Sequence, residues 1–393
     1  MRLKRIFLPA SGKDLSVVHN RRILLGAILS IALLLRVYMS FFTSLPHMHR
    51  DSIDYFAQAD ALISGGYINY FPNGYPFIIA GFKIFAGIYS DTWLLILNIC
   101  LSTTTVFLVF KISLKVFRNV SIALLAAGIL AVLPTQINYV RWLTSEVPSE
   151  FFLVAGYYCY TSQKPWLGGI LFGLAIAIRT EFIPILLLLL LAEVIWQKRF
   201  SFKLSMGALI PVLILGWYCY GKTGEWSIAG HGKVNVMYSV TASGDNVDWY
   251  FNDKHPEIKT TGQAIDMYMD TMRAYPGKFI KDRVTNLYNL WSFYPGSSDE
   301  SRSQVSRLVM GAGNLFMIVF GFLGWWYNRR NYYSFILIFP FIIVTGVHVF
   351  FLAISRYTYP VEPFMIILGS WTLMRVLWKM FLKKKAGLDG AKD

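Results

Sequence analysis

The chain has 393 residues, of which 55% are hydrophobic, 17% aromatic and only 15% charged, with a formal charge of +15 and a mean hydropathy of +0.47. That much apolar surface cannot be hidden in one soluble core of this size, which excludes an ordinary soluble enzyme. No basic stripe interleaved with aromatics occurs on a polar segment, so nucleic acid is not a partner despite the charge.

Residues 1–20 are too polar for the apolar core of a cleaved signal, and the run after them is long enough to cross a bilayer. A retained signal anchor over 22–44 is therefore predicted. Further spans are predicted over 90–112, 119–137, 147–161, 165–179, 182–196, 203–221, 308–327, 333–353 and 358–380, the three central ones being short. The chain thus reads as an all-α polytopic membrane protein with about ten transmembrane helices and juxtamembrane amphipathic helices. Cys100, Cys159 and Cys219 all lie in apolar runs and act as small hydrophobes.

With ten spans and a cytoplasmic N-terminus, the basic clusters fall inside: Arg2 to Arg22, Lys111 to Arg118, Lys198 to Lys203, Arg329–Arg330 and Arg375 to Lys392. The short outer segments hold only Arg50, Lys83, Arg141, Arg179 and Arg356. This asymmetry places both termini in the cytoplasm of a plasma (inner) membrane. The apolar stretch Pro76–Ile88 must then be a half-helix or interfacial helix, since counting it as a span would turn Lys111, Lys115 and Arg118 outward.

The polar material collects in two outer loops, 45–89 and 222–307. In the first, Tyr55, Phe56, Ala59, Leu62 and Ile63 form an apolar stripe, with Asp51, Asp54 and Gln58 on its other side. The pattern predicts an amphipathic helix on the membrane surface, ended by Gly65-Gly66. Asp51 as an N-cap and Asp54 as a first-turn acid would fit the helix dipole equally well. Glu146, just before Pro148, likewise reads either as a capping acid or as a functional one, beside Arg141 and Glu150. Arg179 and Glu181 occupy a short link between apolar runs, and Arg356 lies between the last two spans. One such charge at a helix end can simply snorkel; a mixture of acids and bases gathered on one side suits an anionic lipid-linked substrate. In the second loop, Pro276 separates two helical pieces, and the later one sets Phe279, Ile280, Val284, Leu287, Leu290 and Trp291 against Lys278, Lys281, Asp282 and Arg283. It predicts another surface helix.

His47, His49 and Asp51 alternate along an extended segment, but no further ligand stands at diagnostic spacing, so no metal site is assigned. A divalent ion is compatible with the acids and not required by them, and no cofactor is implied. P-loop, GxGxxG, GxSxG and HExxH patterns are missing from the polar segments, which removes the usual support for ATP-driven transport and serine hydrolysis.

The arrangement resembles the GT-C superfamily of integral-membrane glycosyltransferases, in particular the branch of protein O-mannosyltransferases and lipid A aminoarabinose transferases that use polyprenyl-phosphate sugars. The resemblance is carried by Asp51-x-x-x-Tyr55 after the first span, the Gly65-Gly66 end of the surface helix and the Asn73-Gly74-Tyr75-Pro76 turn. It continues through Thr144-Ser145-Glu146, Arg179-Thr180-Glu181, and Arg356-Tyr357 followed by Pro360 and Pro363. It implies a seven-helix catalytic module over 1–221, an extracytoplasmic loop over 222–307 and a three-helix C-terminal region over 308–393. It also implies Asp51 as catalytic base, where the family's common Asp-Glu pair is here Asp51-Ser52 and Asp54 is the nearest second acid. Where the aminoarabinose transferases carry a Lys ahead of the half-helix Pro, this chain has Gly74 and Tyr75. The donor phosphate is then left to Arg179, Arg356 or Lys83, with Glu146 orienting the base or acceptor and Tyr55, Tyr75 and Tyr357 on the substrate side. The implied partners are a polyprenyl-phosphate sugar, a glycan, lipid or protein acceptor, and membrane lipid. A flippase or other transporter of lipid-linked glycans is the alternative; against it, Arg36 is the main ionisable residue within a span.

Overall fold

A computed structural model describes residues 15–389 except 45, 49, 69, 231, 245 and 292–303. The N-terminal basic segment before Leu15, His49 and Lys392, all weighed above, lie outside the described residues. The protein is 82% helical and has no strand among the described residues.

Every predicted span coincides with helix. α1 (Leu15–Phe41) is followed by α2 (Arg50–Ile63), α3 (Gly74–Ala86), α4 (Ser90–Phe117), α5 (Val120–Val132), α6 (Pro134–Asn138), α7 (Glu146–Thr161), α8 (Pro165–Ile178), α9 (Ile183–Gln197) and α10 (Phe202–Thr223). The second loop folds as α11 (Gly232–Thr241), α12 (Phe251–Lys254), α13 (Thr261–Ala274) and α14 (Pro276–Trp291), before α15 (Gln304–Asn328), α16 (Tyr332–Ile336), α17 (Phe339–Phe350) and α18 (Glu362–Asp389). By length and apolarity six segments among the described residues can cross a membrane, or seven if the bent pair α5–α6 is one span. Of the other three expected spans, α7 has 16 residues and α8 has 14, where an independent span needs about 20, and the one over 308–327 lies in the 25-residue α15. α3 runs through one 3₁₀ turn, Gly87–Tyr89, into α4. Its 13 residues reach about 20 Å at 1.5 Å per residue, a half-helix by length.

Close helix crossings hold this bundle together. A Cβ on Gly169 of α8 would stand 2.2 Å from the carbonyl oxygen of Leu204 in α10, so only glycine lets these backbones meet. The break between α5 and α6 has a specific cause and a specific repair. Pro134 has no N–H for the Leu130 carbonyl, and the chain bends there by 52°. Arg36 of α1, fully buried, donates to the carbonyls of Ala131 (3.1 Å) and Leu130 (3.5 Å) and to the Ser102 hydroxyl (2.8 Å). The mid-span arginine is therefore a cap for a broken helix.

One expectation about the surface helices is corrected. The stripe of α2 does not face lipid: Tyr55, Phe56 and Ala59 are buried against Tyr75, Ile79, Leu94, Leu143 and Ile178. Gln58 is equally buried and bonds the Ile68 and Phe71 carbonyls. In α14 the amphipathic pattern holds, and its C-terminal end, Leu290 and Trp291, is buried in the core. Asp282, Arg283 and Asn286 face the protein, while Ile280, Val284, Leu287 and Tyr288 are exposed. Arg283 fastens the carbonyls of Ser239, Ala242 and Phe350, while Asn286 donates to the Val349 carbonyl and accepts from the Gly244 N–H. Buried main-chain acceptors at loop ends demand donors, and these side chains supply them.

Candidate active site

Four separate chain segments bring charge to one place. Asp51 is in the first turn of α2, and Glu146 is the first residue of α7. Arg179 ends α8, and Arg356 lies in the 3₁₀ turn Ser355–Val361 before α18. Glu146 does not cap its helix; its carboxylate turns away to meet two guanidiniums. Arg179 Nη1 lies 3.3 Å and Arg356 Nε 3.8 Å from Glu146 Oε1. Each arginine also has an acid of its own: Arg356 Nη2 donates to Asp51 Oδ2 at 2.5 Å, and Arg179 Nε to Glu181 Oε1 at 2.8 Å. The result is an alternating row, Asp51, Arg356, Glu146, Arg179, Glu181. The side chain of Glu146 at its centre is 4% exposed, whereas Asp51 at its end is 20% exposed.

Local packing explains why the row forms. The loop before Asp51 is tied to the 139–143 segment: Arg141 donates to the Pro46 carbonyl and the Leu143 N–H to that of His47. Arg141, expected among the site charges, is thereby a structural residue, 3% exposed and stacked on Trp142. A Cβ on Gly74 would lie 2.5 Å from the Ala177 carbonyl, so the Asn73-Gly74-Tyr75-Pro76 turn seats α3 directly on the end of α8 that presents Arg179. Tyr55 and Tyr75 pack edge to face at 5.1 Å beneath the row, with 5% and no exposure. Burial raises the Tyr55 hydroxyl above its ordinary pKa, and it donates to Ser145 Oγ at 3.0 Å. These two tyrosines support the site from below; Tyr357, half-buried, lies under the guanidiniums of Arg179 (5.1 Å) and Arg356 (5.4 Å).

Other charges that the sequence sends to the same side do not join. Lys83 pairs with Asp60 at 2.6 Å and lies over Phe56. Asp60 is nine residues along α2 from Asp51, roughly 13 Å at helical rise. Asp54 is exposed. Glu150, one turn beyond Glu146, points into a second buried group in which Gln136 Nε2 reaches Glu150 Oε1 (2.7 Å) and Glu362 Oε2 (3.0 Å), and Thr135 donates to Glu362 (2.7 Å). Among the described residues no cluster of His, Cys, Asp and Glu has the geometry to hold a metal ion.

One residue of the site escaped the sequence reading. His348 of α17 lies 3.5 Å from Glu181 Oε1 and stacks on Tyr357. Its only sequence signal is an ionisable side chain in an apolar run.

Chemically, the row offers two guanidiniums for a phosphate, one partly open carboxylate as a proton acceptor, and a buried carboxylate that fixes the spacing of both arginines.

No family model and no curated protein matches this sequence. Solved structures do. Archaeal oligosaccharyltransferase AglB from Archaeoglobus fulgidus in complex with an inhibitory peptide and a dolichol-phosphate matches with a TM-score of 0.54 and 13% identity, over 94% of this chain and 52% of that one. The apo form of the Archaeoglobus fulgidus oligosaccharyltransferase matches with a TM-score of 0.56 and 14% identity, over 92% and 52%. Its complex with Zn and sulfate gives 0.54 and 14%, over 93% and 51%. The chain spans about half the length of these structures. The likeness is one of fold: this chain has the polytopic all-helical membrane fold found in archaeal oligosaccharyltransferase.

Proposed function

We propose that the protein is an inverting glycosyltransferase that moves a sugar from a polyprenyl-phosphate donor to a hydroxyl of a cell-envelope glycan, lipid or protein. The reaction takes place at the outer face of the plasma membrane, with both termini inside. The observation that carries this reading is the Asp51–Arg356–Glu146–Arg179–Glu181 row, assembled from four segments. The fold adds support, since one of its solved counterparts is a transferase in complex with a dolichol-phosphate.

The residues divide the work as follows. The donor phosphate competes with Asp51 for Arg356 and draws on Arg179, so that binding itself frees the base. The acceptor hydroxyl attacks the anomeric carbon from the face opposite the phosphate and gives its proton to Asp51. The bond from anomeric carbon to phosphate oxygen breaks, and polyprenyl phosphate leaves with the electron pair, stabilised by the guanidiniums. Glu146 is a positioning residue that holds both arginines at the spacing a phosphate needs. The division into a catalytic module (1–221), an outer loop (222–307) and a C-terminal region (308–393) belongs to the same proposal, with Arg356 contributed from the third part. Against a transport pathway stands Arg36, whose bonds go to a broken helix.

The test is incubation of the purified protein in lipid with a panel of polyprenyl-phosphate sugars and an envelope extract, with release of polyprenyl phosphate followed by mass spectrometry. Release from one preferred donor is expected. Folded protein that releases it from no donor overturns the reading.

A further inference from the structure

α17 carries an ionisable side chain near its C-terminal end, His348, which is 6% exposed. Its Nδ1 lies 3.0 Å from the Leu352 carbonyl oxygen, and a carbonyl only accepts, so this nitrogen bears the proton and donates it. The other nitrogen, Nε2, faces Glu181 Oε1 at 3.5 Å, a contact that holds the carboxylate when this nitrogen carries a proton too, in the imidazolium form. The ring stacks on Tyr357 with centroids 4.2 Å apart and planes 21° from parallel. Position is secured from outside: the Phe350 carbonyl, two residues on, is held by Tyr268 and Arg283 of the outer loop.

A buried histidine is ordinarily a core residue satisfied by its own bonds. Here half of its hydrogen-bonding capacity is aimed at an acid of the site. Glu181 is the carboxylate that orients Arg179, and Tyr357 is the ring beside both Arg179 and Arg356. One imidazole therefore touches the separate supports of both arginines.

We propose that His348 is a positioning residue for donor capture, holding Glu181 and Tyr357 so that Arg179 and Arg356 keep the separation that receives the donor phosphate; this rests on the polyprenyl-phosphate reading above. The phosphate is bound in both ground and transition states. Loosening the spacing of its arginines without removing their charge therefore raises the donor KM more than it lowers kcat, whereas damage to the base would lower kcat with KM unchanged.

The experiment uses the full chain in lipid nanodiscs and measures donor KM, kcat and the binding of polyprenyl phosphate without sugar. His348→Phe keeps a flat ring over Tyr357 and removes both nitrogens; His348→Gln returns an amide N–H toward Glu181. His348→Phe is expected to weaken polyprenyl phosphate binding and raise donor KM on the order of tenfold, with kcat within about twofold, and His348→Gln to recover most of the loss. Unchanged KM and binding in His348→Phe overturn the role, as does a fall in kcat with KM unchanged. Should the phenylalanine variant fail to fold, His348→Asn, which keeps only the bond to Leu352, replaces it; equal affinities for Asn and Gln variants overturn the proposal. Wild-type protein that neither binds polyprenyl phosphate nor releases it refutes the donor reading itself, whereas equal binding by wild type and His348→Phe refutes only the histidine's part.

Discussion

Replacing Arg356 by methionine keeps the length of the side chain and removes the charge that Asp51 and Glu146 share. A unit pair 4 Å apart at an effective dielectric of about 20 is worth about 4 kcal/mol, and losing one partner of a buried pair costs about 3–5 kcal/mol. Asp51 is 20% exposed and regains water, while Glu146 keeps Arg179 at 3.3 Å. Both facts place Arg356→Met near the low end, at about 3 kcal/mol of destabilisation. Adding Asp51→Asn removes the stranded charge, so the double variant should be more stable than the sum of the singles, with a coupling energy of about 1–3 kcal/mol. Arg356→Lys should not restore the wild-type value, because a point charge cannot serve two carboxylates as a planar fork does. Reversible unfolding in lipid micelles, followed by the fluorescence of the 12 tryptophans, gives all the values. Additivity within about 0.5 kcal/mol would refute the pairing on which the site is built.

Gly74→Ala should lower stability by about 1–3 kcal/mol and reduce transfer, because the new methyl meets the Ala177 carbonyl and pushes α3 off the helix end that presents Arg179; unfolding and activity assays on one preparation check both. Lys83→Ala should leave stability within about 0.5 kcal/mol and donor KM unchanged, since its partner Asp60 is exposed and remote from the row; a raised KM would return Lys83 to the phosphate. Arg36→Met should cost about 3 kcal/mol or more, because it uncaps the carbonyls of Leu130 and Ala131 at the Pro134 bend; a neutral result in the same unfolding assay would show the bend needs no cap.

Much of the candidate site was legible because charges at the ends of apolar runs are costly, and the topology predicted from the sequence sorts them onto one side. Asp51, Glu146, Arg179 and Arg356 were found in this way. Sidedness does not say which charges meet, however, and Lys83, Arg141 and Glu150 reach the same level of the molecule with other partners. His348 was missed because a lone histidine in the apolar run TGVHVF has no periodic signature; only the packing of α17 on the Thr180–Phe182 turn brings it to Glu181. Both surface helices were recognised by period, but the stripe of α2 packs against protein and not outward. A hydrophobic stripe does not say what it packs against, and donors owed to buried carbonyls, such as Arg283 and Gln58, are drawn inward whatever the stripe does. Length and apolarity alone single out six or seven segments among the described residues, because short helices such as α7 and α8 shelter behind their neighbours and need not meet the length of an isolated span.

The most direct test of the account is a single-turnover transfer of labelled sugar from the preferred polyprenyl-phosphate donor to the envelope acceptor, comparing wild type with Asp51→Asn. Losing the base should slow transfer by about 10²–10⁴-fold while the variant still binds polyprenyl phosphate. Transfer at the wild-type rate by Asp51→Asn would contradict the assignment of Asp51 as the proton acceptor and with it the mechanism proposed for this site.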